Sequence, residues 1–222
     1  MSKKDVDETR NQSTTQRAYI ALRDAIITGE IAPGEKLKVE TLKSTLDTGA
    51  SPVREALSLL TSNQLVERRD QRGFRVALTS RKQFEEILSL RCKLEDLALR
   101  ASVESRSSEW EEKLVLAHHH MEKSVSEPLG IFEERHKAFH LALLSGCVSP
   151  ILLRFCEQLY DLNIRYRYLA IKSNGYAKRD VAGEHRAILD AAIKGDVELA
   201  SAQLISHYRN TGAYLSELIE LS

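Results

Sequence analysis

The sequence has no run approaching the roughly eighteen consecutive apolar residues of a membrane helix. A membrane-spanning reading therefore has no starting point, and the polar, mixed-charge stretch Met1–Arg10 predicts no secretory leader. Cysteine is scarce: Cys92, Cys147 and Cys156 are odd in number and lack CxxC spacing. That argues against a disulfide framework and for a reduced, cytoplasmic setting. Net charge is absent too, since 32 Lys/Arg balance 32 Asp/Glu. Splitting the chain changes little: residues 1–77 carry 13 basic against 11 acidic side chains, and residues 78–222 carry 19 against 21. Bulk charge makes no case for nucleic acid, so a basic face must carry any such case. Tandem repeats, low-complexity tracts, a phosphate-binding glycine loop and a Ser/His/Asp elbow are all missing.

What is present is helical periodicity in two blocks. Apolar residues 42% and charged residues 29% are the balance of a globular chain rather than a disordered one. Residues 1–13 read as a frayed tail. A helix follows Thr14–Thr15 through Tyr19, Leu22, Ile26 and Ile27 and stops at Gly29. Ile31-Ala32-Pro33-Gly34 is a turn. A short helix fits Val39–Leu46. Ser51-Pro52 opens another, with Ser51 as its cap and Val53, Ala56, Leu57 and Leu60 as its stripe. Leu65–Arg69 and Gly73–Ala77 read as two strands around Asp70-Gln71-Arg72. Three helices and a hairpin make a winged helix-turn-helix over 14–78.

From Ser80 on, about six helices are expected, with capping-box spacing at Ser80…Gln83 and Ser108…Glu111. Breaks fall near Glu127–Gly130, Gly146…Pro150, Ser173–Gly175 and Gly195-Asp196. The fold class is mainly α: a winged helix-turn-helix followed by an antiparallel all-helical bundle over 79–222.

The second helix of a helix-turn-helix offers its N-terminal end to the major groove. Here that end holds Ser51, Pro52 and Arg54, whose guanidinium can reach a guanine or a phosphate. Lys36, Lys38 and Lys43 flank it, and Arg68, Arg69, Arg72 and Arg75 lie on or beside a wing whose turn Gly73 permits. Singly, each feature reads as a cap or a solvated face; in this order they point to double-stranded DNA.

Pro33-Gly34-Glu35-Lys36-Leu37, Ser51-Pro52-Val53-Arg54-Glu55-Ala56-Leu57 and Gly73-Phe74-Arg75-Val76 together resemble the GntR family of bacterial transcription regulators. The helical remainder resembles the FCD effector domain of its FadR-type branch. The resemblance implies a homodimeric repressor on a palindromic operator, controlled by a small carboxylate. One departure is Ala50, where many members carry an additional arginine before the Ser/Thr-Pro pair.

Four histidines sit on apolar stripes. His136 and His140 share one face with Phe132, Phe139 and Leu143; His185 goes with Ile188 and Leu189; His207 goes with Leu204. A lone inward histidine is usually a hydrogen-bonded core residue. Four need shared chemistry, which a metal supplies. In metal-binding FCD domains an aspartate and three histidines are ligands; the resemblance matches His140, His185 and His207, with His136 in the aspartate's place. An all-nitrogen set suits a divalent Zn2+ or Ni2+. The alternatives are packed histidines without metal, or a metal-dependent hydrolase. His136-Lys137-Ala138-Phe139-His140 is HxxxH, with Lys137 where a zinc peptidase keeps its general-base glutamate, so an enzyme is not expected. His118-His119-His120 cannot share a face and read as mostly solvated.

The resemblance also aims Arg91 at a ligand cavity, where a guanidinium grips carboxylate. Arg165, Arg167 and Tyr168 are expected to line the same space, with surface salt bridging as their plain alternative. Likeness to a branch answering to glutarate makes glutarate or 2-hydroxyglutarate the expected effector.

Overall fold

The computed structural model describes residues 13–69, 72–174 and 180–219. The tail expected at the N-terminus falls almost entirely outside them, as do Asp70 and Gln71 of the wing turn. The chain forms two compact units: residues up to Ser80 with Ile164–Leu169, and Arg81–Asn163 with residues from Ala170 on.

The first unit holds α1 (Thr14–Ile27), β1 (Lys36–Leu37), α2 (Val39–Thr45), α3 (Ala50–Ser62), β2 (Val66–Arg69) and β3 (Gly73–Val76). Ser13 starts α1: its hydroxyl accepts the Gln16 N–H at 3.1 Å. Ala18, Leu22 and Ile26 recur every four residues and bury one face of α1 against Val53, Ala56, Leu57 and Leu60 of α3. Each such leucine or isoleucine contributes about 1.5–3 kcal/mol. Gly29 leaves the helix at φ 68, the left-handed conformation that glycine reaches without strain.

The recognition helix departs from expectation. α3 begins at Ala50, with Gly49 as a cap that makes no side-chain bond, so Ser51 does not cap. Gly49 already supplies the extended residue before the helix and its carbonyl takes the Val53 N–H, which places Ser51 inside the first turn. Pro52 also stands in that turn, where an N–H has no helical partner to lose.

The sheet is three-stranded and antiparallel, in the order β1-β3-β2. β1 pairs Lys36 with Arg75 and Leu37 with Phe74. Two residues are too short to show a period of two, so this strand is silent in the sequence. Arg75 also donates from Nη1 to the Gly34 carbonyl at 2.8 Å, tying the turn before β1 to β3.

The second unit contains α4 (Arg81–Glu104), α5 (Ser108–Lys123), α6 (Leu129–Leu144), α8 (Val181–Lys194) and α9 (Val197–Ile219). It also holds most of α7 (Pro150–Asn174). Leu99, Leu114, Phe139, Leu143, Ile188 and Leu204 are its fully buried centre. The cap of α5 is Ser107 rather than Ser108, because Ser107 is the last extended residue (φ −126, ψ 160) and its hydroxyl takes the Trp110 N–H. Asp180 caps α8, and Gly195 stops it at φ 76. No helix among the described residues is long and apolar enough to cross a membrane.

Candidate functional site

The face that could meet DNA is built on the first unit. Arg54 and Ser51 are exposed on the first turn of α3, Pro52 is half-buried beside them, and Lys36, Lys38, Arg72 and Gly73 are exposed on and near the sheet. Gly73 holds φ 82, which the hairpin needs. Among these basic residues, Lys43 pairs with Glu40 at 2.5 Å and Arg69 with Glu67 at 2.7 Å. Glu55, next to Arg54, is engaged by the Thr15 hydroxyl at 2.9 Å.

The second unit brings four imidazoles together. His136 and His140 project from α6 one turn apart, His185 from α8 and His207 from α9. All four are buried, and each offers a ligand atom within 4.8 Å of the others. His136 Nε2 lies 3.2 Å from both His140 Nε2 and His185 Nε2. A tetrahedral zinc with bonds of about 2.0–2.1 Å spaces its nitrogens about 3.3–3.4 Å apart. The donor set and its spacing therefore fit such an ion.

Outer residues aim these rings. His136 Nδ1 lies 2.6 Å from the Tyr160 hydroxyl, and His207 Nδ1 lies 2.7 Å from Glu184 Oε2. His140 Nδ1 lies 3.1 Å from the Tyr208 hydroxyl. A carboxylate only accepts, so His207 donates from Nδ1 and turns a bare Nε2 inward.

Arg91 is buried beside this cluster. Its Nε and Nη2 donate to the two carboxylate oxygens of Glu95 at 2.6 and 3.2 Å, and Nη1 donates to Asn163 Oδ1 at 2.7 Å. The guanidinium carbon lies 4.3 Å from the Tyr208 ring centre and 5.0 Å from that of Tyr160. Burial alone would weaken the cation, but Glu95 together with Tyr208 and Tyr160 more than offsets it and raises its pKa. Tyr208 donates its hydroxyl proton to Glu95, and burial, then that carboxylate, raises the phenol's pKa.

Arg165 stands two residues from Asn163, hence on another side of α7, and donates to the Ala77 carbonyl at 2.5 Å. Its Nε has no hydrogen-bond partner among the described residues, and burial pushes its pKa down to about 10. Arg167 is buried four residues after Asn163, on the same helical face; Tyr168 is half-buried.

Glu95, Tyr160 and Asn163 show in the sequence only as neighbours of Arg91 and Arg165 on their helices, without assigned roles; Tyr208 and Glu184 left no signal. His118 is the other surprise: it is buried on α5 edge-on to Phe139, while His119 and His120 are exposed as expected.

A winged helix-turn-helix with an exposed recognition helix, joined in one chain to a helical unit with a buried polar centre, is the plan of a DNA-binding transcription regulator. The comparisons agree. The pattern of the bacterial regulatory proteins, gntR family, matches residues 14–76, and that of the FCD domain matches residues 86–210. The chain belongs to the GntR family and is a DNA-binding transcription regulator, not an enzyme. It is 36% identical over 207 residues to the HTH-type transcriptional regulator BphR of Paraburkholderia xenovorans LB400, covering 90% of this chain and 84% of that one. It is 31% identical to the HTH-type transcriptional repressor GlaR of Escherichia coli K12, covering 87% and 92%. The solved structure of E. coli McbR/YncC has the same fold, with a TM-score of 0.82 at 22% identity over 93% of this chain and 98% of that one.

Proposed function

We propose that this regulator is a homodimeric repressor whose hold on a palindromic operator is set by a small carboxylate bound near a divalent metal. Residues 14–78 serve as its DNA-binding module and 79–222 as its effector and dimerisation module. The cluster of four buried imidazoles carries the reading, and FCD domains can bind metals. His136, His140, His185 and His207 would hold the ion, with Zn2+ the best match to four nitrogens and Ni2+ next. An ion there that expanded from four nitrogens to a fifth position would offer a Lewis-acid seat for a carboxylate oxygen.

Arg91 supplies the second point of attachment, and Arg167, with the half-buried Tyr168, a third on the Asn163 side of α7. Arg165 is the further cation of that helix. A cation of the metal site and the buried Arg91 guanidinium beside it would suit a dicarboxylate, with glutarate and 2-hydroxyglutarate the first candidates. On DNA, Arg54 reads a base edge or phosphate, Ser51 and Pro52 present it, and Lys36, Lys38, Lys43, Arg72 and Gly73 serve the backbone. Effector binding favours the arrangement that releases DNA, through its differential affinity for two arrangements.

The test is thermal melting of untagged protein against a panel of small carboxylates, with and without a chelator. A ligand at a hundredfold excess over its Kd adds about 2.7 kcal/mol. The expected result is a dicarboxylate shift that chelation abolishes. A shift that survives chelation leaves the arginines as sole anchors and the histidines as packing. No shift with any carboxylate overturns the effector reading and leaves the DNA-binding function untouched.

A further inference from the structure

The ion pair on α4 and the histidine cluster are joined by one hydroxyl. Tyr208 donates its single proton to Glu95. At its 3.1 Å contact with His140 the phenol oxygen must therefore accept, so His140 Nδ1 donates and His140 Nε2 is bare. That bare nitrogen is the one facing His136 at 3.2 Å. Glu95 thus has three tasks with two oxygens: it neutralises Arg91, takes the Tyr208 proton, and through Tyr208 sets the tautomer of His140. Only an acceptor-only side chain does this. An amide in its place could donate to Tyr208, turn the phenol proton toward His140 Nδ1, and leave Nε2 protonated and unable to ligate.

Glu95 also occupies the side of Arg91 that carries Nε and Nη2, which is a preferred side for bidentate carboxylate. Arg91 is therefore not an empty grip. An incoming carboxylate meets a resident one.

We infer that Glu95 is a positioning residue that couples the carboxylate grip to the metal site: it holds Arg91 against effector until displaced, and through Tyr208 keeps His140 ready to ligate. This deepens the function proposed above and rests on it.

The experiment uses the full chain as wild type, Glu95→Gln and Tyr208→Phe, each checked for a cooperative melt without metal. Histidine 15N shifts of metal-free protein read the tautomers, zinc affinity is measured against a chromophoric chelator, and glutarate is titrated at saturating zinc. In wild type, His140 carries its proton on Nδ1. In Glu95→Gln the proton moves toward Nε2, and zinc affinity falls about 10–100-fold, the usual cost of an outer ligand. Tyr208→Phe keeps the ring over Arg91 and shows the same fall. Glutarate binds Glu95→Gln about tenfold tighter, since one charge-assisted bond no longer competes. Wild-type His140 protonated on Nε2, or variants that bind zinc as wild type does, overturn the coupling. Glutarate bound no tighter by Glu95→Gln overturns the competition. Wild type that takes up no zinc sinks the metal reading instead, while the nitrogen shifts still decide the Tyr208 link.

Discussion

Arg54 stands exposed on the first turn of α3, where its removal opens no cavity. Arg54→Ala is expected to melt as wild type does and to bind operator more weakly by about 1–3 kcal/mol. An electrophoretic shift with unchanged affinity would remove it from the reading face. His118 tests the core instead. It is buried on α5 with no partner for Nε2 among the described residues, and burial lowers its pKa below the ordinary 6.5. Around it, Glu122 at 3.6 Å and Asp190 oppose that shift, while Arg186 and His119 add to it. The unfolded chain takes up a proton below about pH 6.5 that the folded chain resists. Stability is therefore full above that pH and drains away as the pH falls below it. His118→Leu is expected to narrow the difference in melting temperature between about pH 7.5 and about pH 5.5; an unchanged difference assigns the acid sensitivity elsewhere.

Among the elements, helix faces were legible because their period repeats over several turns. The stripe Val53, Ala56, Leu57, Leu60 and the pair His136 and His140 all lie on the inward faces the spacing assigns them. Helix starts were less legible, since a cap is one residue and a neighbour can take its place: Gly49 replaces Ser51, and Ser107 replaces Ser108. β1 is two residues long and shows only through its pairing with β3. The polar centre was half legible. Its histidines announce themselves on apolar stripes. Asn163, however, reaches Arg91 across 72 residues and Tyr208 reaches Glu95 across 113, distances over which no periodicity carries information. Packing between elements also sets a limit at Gly146. A Cβ there would meet the Ser102 Cα and carbonyl oxygen at 3.0 Å, and backbone cannot step aside. Gly146→Ala is expected to cost about 1–3 kcal/mol, seen as a lower urea midpoint with unchanged slope. A midpoint within error of wild type would show that the turn after α6 can move away from α4.

At the scale of the whole molecule, the proposed homodimer would space its recognition helices about 34–36 Å apart, one turn of DNA. Inserting about five base pairs at the centre of the operator turns one half-site to the opposite side of the duplex. Affinity is expected to collapse to the non-specific level and to recover with about ten. Equal binding to all three operators would mean that each chain reads DNA alone.

The order in which the chain is made gives the Arg91–Glu95 pair a history. Its members are four residues apart on α4, so they can meet as soon as that helix turns, and in water such a pair contributes only about 0.3–0.5 kcal/mol. Tyr208 belongs to α9, made more than a hundred residues after α4, and its ring and hydroxyl help cover the pair. Until α9 packs, the charges keep their water; afterwards their full worth depends on partners that arrive together. A nascent or damaged chain without a docked α9 thus exposes a hydrated cation at the heart of its second unit, a mark by which an unfinished molecule differs from a finished one.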